Sequence, residues 1–205
     1  ISRFEPNREG VPKQVRKRII LNMDNTYVPK KLIVPFMETV HDRIMLELFR
    51  GCIRGCRFCQ AGYIYRPVRE RSVDKLVETA GECIKNTGYE EMSMSSLSTS
   101  DYTDLDELTN KLLDITVDKR INLSLPSLRV DNFSMELMEK VQKVKKSGLT
   151  FAPEAGTQRL RDVINKNVLE SDLIRTSNIA FRGGYNRIKL YFMPVSYTHL
   201  TLPTK

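Results

Sequence analysis

Cysteine, glycine and proline are all scarce, and each shortage removes a class of protein. Four cysteines in 205 residues cannot build a disulfide scaffold. Ten glycines and nine prolines are too few for a collagen-like or low-complexity chain. No apolar run approaches the roughly 18 residues that a membrane span requires. The first 20 residues are polar and basic and lack an apolar h-region, so no secretory signal is visible. The chain begins at Ile1 rather than Met, and a fragment of a longer protein is therefore expected. What is left is the expectation of a soluble, cytoplasmic protein, 40% hydrophobic and long enough for a sizeable core.

The charge is uneven. Residues 1–71 carry 15 Lys/Arg and 7 Asp/Glu, whereas residues 72–205 carry 18 of each, so the whole net charge of +8 lies in the first third. Arg50, Arg54, Arg57, Arg66, Arg69 and Arg71 crowd around three of the four cysteines. Such a patch can draw in nucleic acid or another anion. It can equally compensate nearby thiolates.

From residue 41 onward strand and helix signals alternate. Ile44–Phe49 reads as a strand. Ser72 caps a helix with Val73, Leu76, Val77, Ala80 and Ile84 on one stripe, and Gly88 stops it. Met92 and Met94 alternate in a second strand. Thr103 with Asp106 forms a capping-box pattern ahead of Leu105, Leu108, Leu112 and Ile115. Ile121, Leu123 and Leu125 alternate as a third strand that stops at Pro126. Ser134 opens a helix through Leu137, Met138, Val141 and Val144, with Gly148 as its stop. Leu149–Ala152 is a fourth strand. Thr157 caps a helix through Leu160 and Ile164, a further helix covers about 170–182, and Ile188–Met193 is the last strand. Strands two, three and four start about 28–30 residues apart, the spacing of right-handed βαβ units. The pattern predicts a parallel α/β fold whose polar segments gather at one end of the strands. It leaves open whether the sheet is flat or curled into a partial barrel. Residues 1–40 do not fit the rhythm. Pro12, Pro29 and Pro35 suggest an extended arm or linker with one strand near Lys17–Asn22.

Cys52, Cys56 and Cys59 form C-x3-C-x2-C in RGCIRGCRFCQAG, directly after the first strand. Gly51, Gly55 and Gly62 let this loop wrap tightly around an object. Three close thiolates repel one another and call for a cation. A structural zinc site takes four ligands, commonly two C-x2-C pairs. The fourth cysteine, Cys83, sits beside an apolar helical stripe and reads as a buried free thiol. His41 precedes the strand as the other candidate. Three ligands with an open position point to a 4Fe–4S cluster with one iron free. Zinc and plain packing remain the other readings of the spacing.

C-x3-C-x2-C after a first strand, with an aromatic residue just before the third cysteine, resembles the radical SAM superfamily. VPFMETVHDRIMLELFRGCIRGCRFCQAGYIYRPVRERS is similar to a cobalamin-linked radical SAM family of unassigned function, with a core like that of methylthiotransferases. SLSTSDY, LPSLRVDNFS and SGLTFAPEAGTQRLRDVINK fall where that family has similar stretches. The resemblance covers roughly residues 15–193. It implies a partial TIM-type (β/α)6 barrel, truncated here before its last strand. It implies an enzyme whose 4Fe–4S cluster, held by Cys52, Cys56 and Cys59, cleaves S-adenosylmethionine (SAM) reductively to a 5′-deoxyadenosyl radical. An electron donor such as a flavodoxin or ferredoxin is then expected, as is methylation or methylthiolation of RNA or protein.

The resemblance also assigns cofactor contacts. Phe58 matches the aromatic position against the SAM adenine. Ser95 and Ser96, with Ser98, follow the second strand, where the SAM amino group is bound. Ser127 and Arg129 follow the third strand, where polar groups meet the SAM ribose or carboxylate. Glu154 follows the fourth strand, facing SAM or substrate. Each residue also has a plainer role open to it: core packing for Phe58, turn chemistry for the serines, a surface ion pair for Arg129, a helix N-terminal charge for Glu154. Tyr63 and Tyr65, interleaved with Arg66 and Arg69, could stack and pair with RNA or line the cysteine loop.

Two departures stand out. No D-x-H-x-x-G cobalamin signature occurs, so cobalamin would need a domain upstream of Ile1. Residues 194–205, PVSYTHLTLPTK, do not continue the family pattern and read as a non-native-looking tail. The expected organisation is an arm over 1–40, an incomplete radical SAM core over 41–193, and that tail. The last strand is expected at an open edge.

Overall fold

The computed structural model describes residues 5–131, 135–141 and 148–193. Strand β1 (Ile44–Glu47) is followed by β2 (Phe49–Arg50), the short helix α1 (Ala61–Ile64) and β3 (Arg69–Glu70). Next come α2 (Val73–Thr87), β4 (Glu91–Ser95), a 3-10 turn at Thr99–Asp101, α3 (Leu105–Thr116) and β5 (Asn122–Ser124). The described residues end with α4 (Met135–Val141), β6 (Leu149–Glu154), α5 (Gln158–Val163), α6 (Glu170–Arg182) and β7 (Ile188–Phe192).

The predicted parallel strands form in two groups. β1, β4 and β5 make one parallel sheet in the order β1-β4-β5, with Ile44 opposite Met92 and Met92 opposite Leu123. β6 and β7 make a second parallel pair, with Leu149 opposite Ile188. No closed barrel is present among the described residues. The continuous rhythm of the sequence had not separated the two groups. Each has its own core: Ile44, Leu46, Met92, Met94, Leu108, Leu112 and Leu123 in the first, and Met138, Leu149, Phe151 and Ala180 in the second. Leu128 packs against both and links them. Each fully buried Leu or Met contributes about 1.5–3 kcal/mol.

Local signals account for most of the boundaries. Ser72 Oγ accepts the Lys75 amide at 3.3 Å at the start of α2, and Gly88 ends that helix with φ +71. Leu76, Ala80 and Cys83 are buried along its inner stripe. Thr157 Oγ1 accepts the Leu160 amide at 3.4 Å at the start of α5, and Gly183 closes α6. Other expectations are corrected. Thr103 builds no capping box: α3 starts at Leu105 with Asp104 before it, and the Thr103 amide donates instead to Glu70 Oε1 at 3.2 Å. A tertiary carboxylate has taken the group that the local motif would have used. The strand expected near Lys17–Asn22 is absent, because no neighbouring strand offers these residues a ladder. The predicted first strand breaks after Glu47, and Phe49–Arg50 turns away to pair antiparallel with Arg69–Glu70. Ser134, Val144 and residues 194–205 lie outside the described residues.

Although residues 5–43 contain no helix or strand, they are anchored. Met23 is buried and its carbonyl accepts Arg71 Nη1 at 2.6 Å. Asp24 Oδ1 accepts the Ser72 amide at 2.9 Å, and the Pro29 carbonyl lies 3.7 Å from Cys83 Sγ. Cys83 is thus a buried free thiol, pushed up in pKa by burial. No helix among the described residues is long and apolar enough to cross a membrane. β7 is largely exposed at Leu190, Tyr191 and Phe192.

Candidate functional site: a glycine-cradled cysteine loop at the strand ends

The cysteine loop leaves β2 through Gly51, whose φ is +103. A side chain there would meet the Pro67 carbonyl at 2.8 Å and, closer still, that of Tyr65, so glycine is required. At Gly62 a Cβ would lie 2.7 Å from the Arg54 carbonyl, which lets α1 seat directly on the loop. Cys52, Cys56 and Cys59 are all free; Cys56 is buried and the other two are half-buried. The Cys59 amide donates to the Cys56 carbonyl at 3.1 Å, closing the turn between them. The loop is also tied to the far group of strands. The Arg57 amide donates to the Ile164 carbonyl at 2.9 Å, and Asn165 Nδ2 to the Gly55 carbonyl at 2.8 Å.

Charged side chains from four segments meet at this loop. Arg54 donates to Asp101, in the 3-10 turn after β4, and reaches Asp131 beyond β5 at 3.4 Å. Arg129 places Nε at 2.9 Å and Nη2 at 3.1 Å from the two oxygens of Asp131, and Nη2 also reaches the Lys166 carbonyl at 3.2 Å. Lys166 Nζ pairs with Glu154 at 3.2 Å and stands 5.8 Å from the Phe58 ring centroid. Glu154, the last residue of β6, has φ +70 and follows a register irregularity after Phe151. A non-glycine residue in that region is costly, and such strain concentrates at functional sites.

Burial pushes the Cys56 thiol up, while Lys166 and Arg129 draw it back down. For Asp101, burial is the largest influence and works upward, but the hydrogen bonds and charges around it, Arg54 first among them and Arg129 beyond, together hold the carboxyl below its ordinary value. Ser98 Oγ is buried and has no hydrogen-bond partner among the described residues.

The structure brings Phe58, Arg129 and Glu154 together around Lys166 and the cysteine loop. Ser95 ends β4, and its carbonyl accepts the Leu48 amide at 3.0 Å. Ser96 Oγ lies 3.0 Å from Thr99 Oγ1, which donates to the Pro126 carbonyl at 2.6 Å, so this hydroxyl braces the turn. Ser127 is exposed at φ +61 and lines a cavity of about 220 Å³ between β5 and β6 that none of the cysteines borders. Sequence reasoning placed Arg54 near the cysteines without its partners, and missed Asp101, Asp131, Asn165 and Lys166 as members of this group. Asp131 could have been found as the nearest carboxylate to Arg129. Lys166 carried no local signal, because only the packing of α5 brings it back to Glu154.

The donor set fits an iron–sulfur group. Three free thiols sit in a loop shaped by glycines, and at Cys56 the charges of Lys166 and Arg129 oppose the upward push of burial. No three His, Cys, Asp or Glu side chains among the described residues converge as ligands of a single metal ion.

The sequence profile described as the Radical SAM superfamily matches residues 46–203. An uncharacterized protein of Methanocaldococcus jannaschii is 40% identical over 174 residues, covering 80% of this chain and 38% of the relative. A second protein of that organism, provisionally named a methylthiotransferase, is 26% identical over 173 residues, covering 77% of this chain and 38% of its own length. The chain therefore spans 38% of the length of both. Among solved structures, the radical S-adenosylmethionine methyltransferase TsrM from Kitasatospora setae, with cobalamin and a 4Fe–4S cluster bound, superposes with a TM-score of 0.55 at 13% identity. That match covers 73% of this chain and 30% of TsrM and shows a shared fold.

Proposed function

The chain belongs to the radical SAM superfamily, and on that premise we propose that Cys52, Cys56 and Cys59 hold a 4Fe–4S cluster beside which SAM binds. The observation that carries this reading is the loop itself: three free thiols, shaped by Gly51 and Gly62, with Lys166 and Arg129 acting on Cys56. When bound, the cluster supplies the electron that cleaves SAM reductively. The chain's residues bind and orient. Phe58 offers an aromatic face to the adenine. Arg129 presents a guanidinium to the SAM carboxylate, held in orientation by Asp131. Glu154, aimed by the end of β6, accepts hydrogen bonds from the SAM amino group or from substrate. Ser95, Ser96 and Ser127 supply polar groups at the ends of β4 and β5.

The reaction we propose is transfer of a methyl or methylthio group to RNA or protein, with an electron donor of the flavodoxin or ferredoxin class. The name of the second M. jannaschii relative and the methyltransferase TsrM support that choice. Neither His41 nor His199 lies in a D-x-H-x-x-G pattern; cobalamin, which TsrM binds, would here be held by a domain outside this chain. The test is anaerobic reconstitution with iron and sulfide, addition of dithionite and SAM, and assay for 5′-deoxyadenosine, with the longer M. jannaschii relative run in parallel. About four iron and four sulfide per chain, with 5′-deoxyadenosine formed, is expected. One zinc per chain without sulfide would overturn the reading in favour of a non-catalytic metal module.

A further inference from the structure

The positive charge near the cysteine loop is of two kinds. Arg43, Arg50, Arg54, Arg71 and Arg129 each pair with a carboxylate. Lys17, Arg66 and Arg69 do not: among the described residues they bond only to carbonyl oxygens. Lys17 Nζ, from the N-terminal arm, donates to the Ile64 carbonyl, and Arg66 Nη2 to those of Ile53 and Arg54 at 3.3 and 3.2 Å. Arg69 Nε donates to the Pro67 carbonyl at 3.0 Å. Their charge is fixed in place and unneutralised. Between them stand two exposed rings, Tyr63 at 66% and Tyr65 at 50% exposure. Lys17 lies 5.6 Å from the Tyr65 ring centroid, a cation–π contact that joins the arm to this ridge.

We propose that this ridge binds a single-stranded nucleic-acid segment, with bases stacked on Tyr63 and Tyr65 and phosphates met by Lys17, Arg66 and Arg69. Unpaired cations alone would suit any polyanion. Exposed, sequence-tolerant aromatic faces set among them suit unstacked bases, which a duplex or an acidic peptide does not offer. The ridge and the cysteines share one piece of backbone, because Arg66 grips the Ile53 and Arg54 carbonyls and Gly62 seats on Arg54. A strand held here lies beside the candidate site. The inference rests on the proposed function only in making that strand a substrate.

The experiment is fluorescence anisotropy of the chain, without cluster, against a labelled single-stranded oligouridylate of roughly 12 nucleotides at rising salt. Binding that weakens steeply with salt is expected, with Arg69→Gln lowering the logarithmic slope by about 0.7. Tyr63→Ala with Tyr65→Ala should weaken binding by about tenfold or more, while the double Phe variant retains it. Equal binding of a duplex, equal loss in the Ala and Phe variants, or tighter binding of polyglutamate would each overturn the proposal. Because binding is read without the cluster, failure to form 5′-deoxyadenosine would strike the proposed function and leave this inference standing.

Discussion

Asp131 grips Arg129 with both carboxylate oxygens, at 2.9 and 3.1 Å, and the same carboxylate lies 3.4 Å from Arg54 in the cysteine loop. One acid thus sets the orientation of two arginines from different segments. The guanidinium proposed to meet the SAM carboxylate is not a loose surface group. It is held before any ligand arrives, which reduces the ordering cost of binding.

Arg129→Ala should weaken SAM binding by about 1.5–3 kcal/mol, the worth of a hydrogen bond to a charged group. The visible absorbance of the cluster should remain. Calorimetric titration of reconstituted protein with SAM checks this, and unchanged affinity would assign Arg129 to holding Asp131 alone.

Cys52→Ala, Cys56→Ala and Cys59→Ala should each abolish the broad iron–sulfur absorbance after reconstitution. Cys83→Ala should keep it, since that thiol is buried against the Pro29 carbonyl. Iron and sulfide analysis of the four variants is the measurement. Loss in Cys83→Ala with retention in one of the others would refute the ligand assignment.

Gly51→Ala should destabilise the chain by about 1–3 kcal/mol, because a side chain at φ +103 is strained and collides with the Tyr65 and Pro67 carbonyls. Gly81→Ala is the matched control. Its Cβ meets nothing within 4 Å in the interior of α2, so it should stabilise by about 0.5–1 kcal/mol. Denaturant titration of both variants reads the opposite signs.

Asp101 is held below its ordinary value of 3.8 by Arg54, against the upward push of burial. A carboxyl depressed by folding stabilises the native state above its unfolded pKa. That stabilisation is lost as pH falls through the lower folded value. Asp101→Asn should therefore lower stability at neutral pH by about 2 kcal/mol, leaving Arg54 short of its partner. Stability of the variant should also fall less steeply than that of the parent below pH 3.8. Equal slopes in acid unfolding curves would show that this pair does not form.

How much of this was legible depended on the range of the interactions. Ser72, Thr157 and Gly183 mark helix ends through hydrogen bonds within a few residues, and Gly88 through its left-handed backbone; all four positions serve as expected. Alternation at Met92 and Met94 and at Leu123 encodes burial on a sheet, and these residues are buried. The C-x3-C-x2-C spacing with its glycines was enough to name the candidate loop and the chemistry of its donors. Thr103 failed because Glu70, 33 residues away, supplied the competing acceptor.

The sequence by itself determined the order of the parallel strands and the longer helices, the cysteine loop and the superfamily, since each rests on local pattern or on contiguous motif. Only the tertiary structure decided which charges meet there. Glu154 and Lys166 are 12 residues apart, Arg54 and Asp131 are 77 apart, and Lys17 and Ile64 are 47 apart. No periodicity encodes such pairs. They form because packing of the two cores, joined through Leu128, brings the ends of β4, β5 and β6 to one side of the loop. There a carboxylate and a cation are cheaper to bury together than apart. The same packing left Lys17, Arg66 and Arg69 without acids, which charge counting along the chain could not have distinguished from their neutralised neighbours.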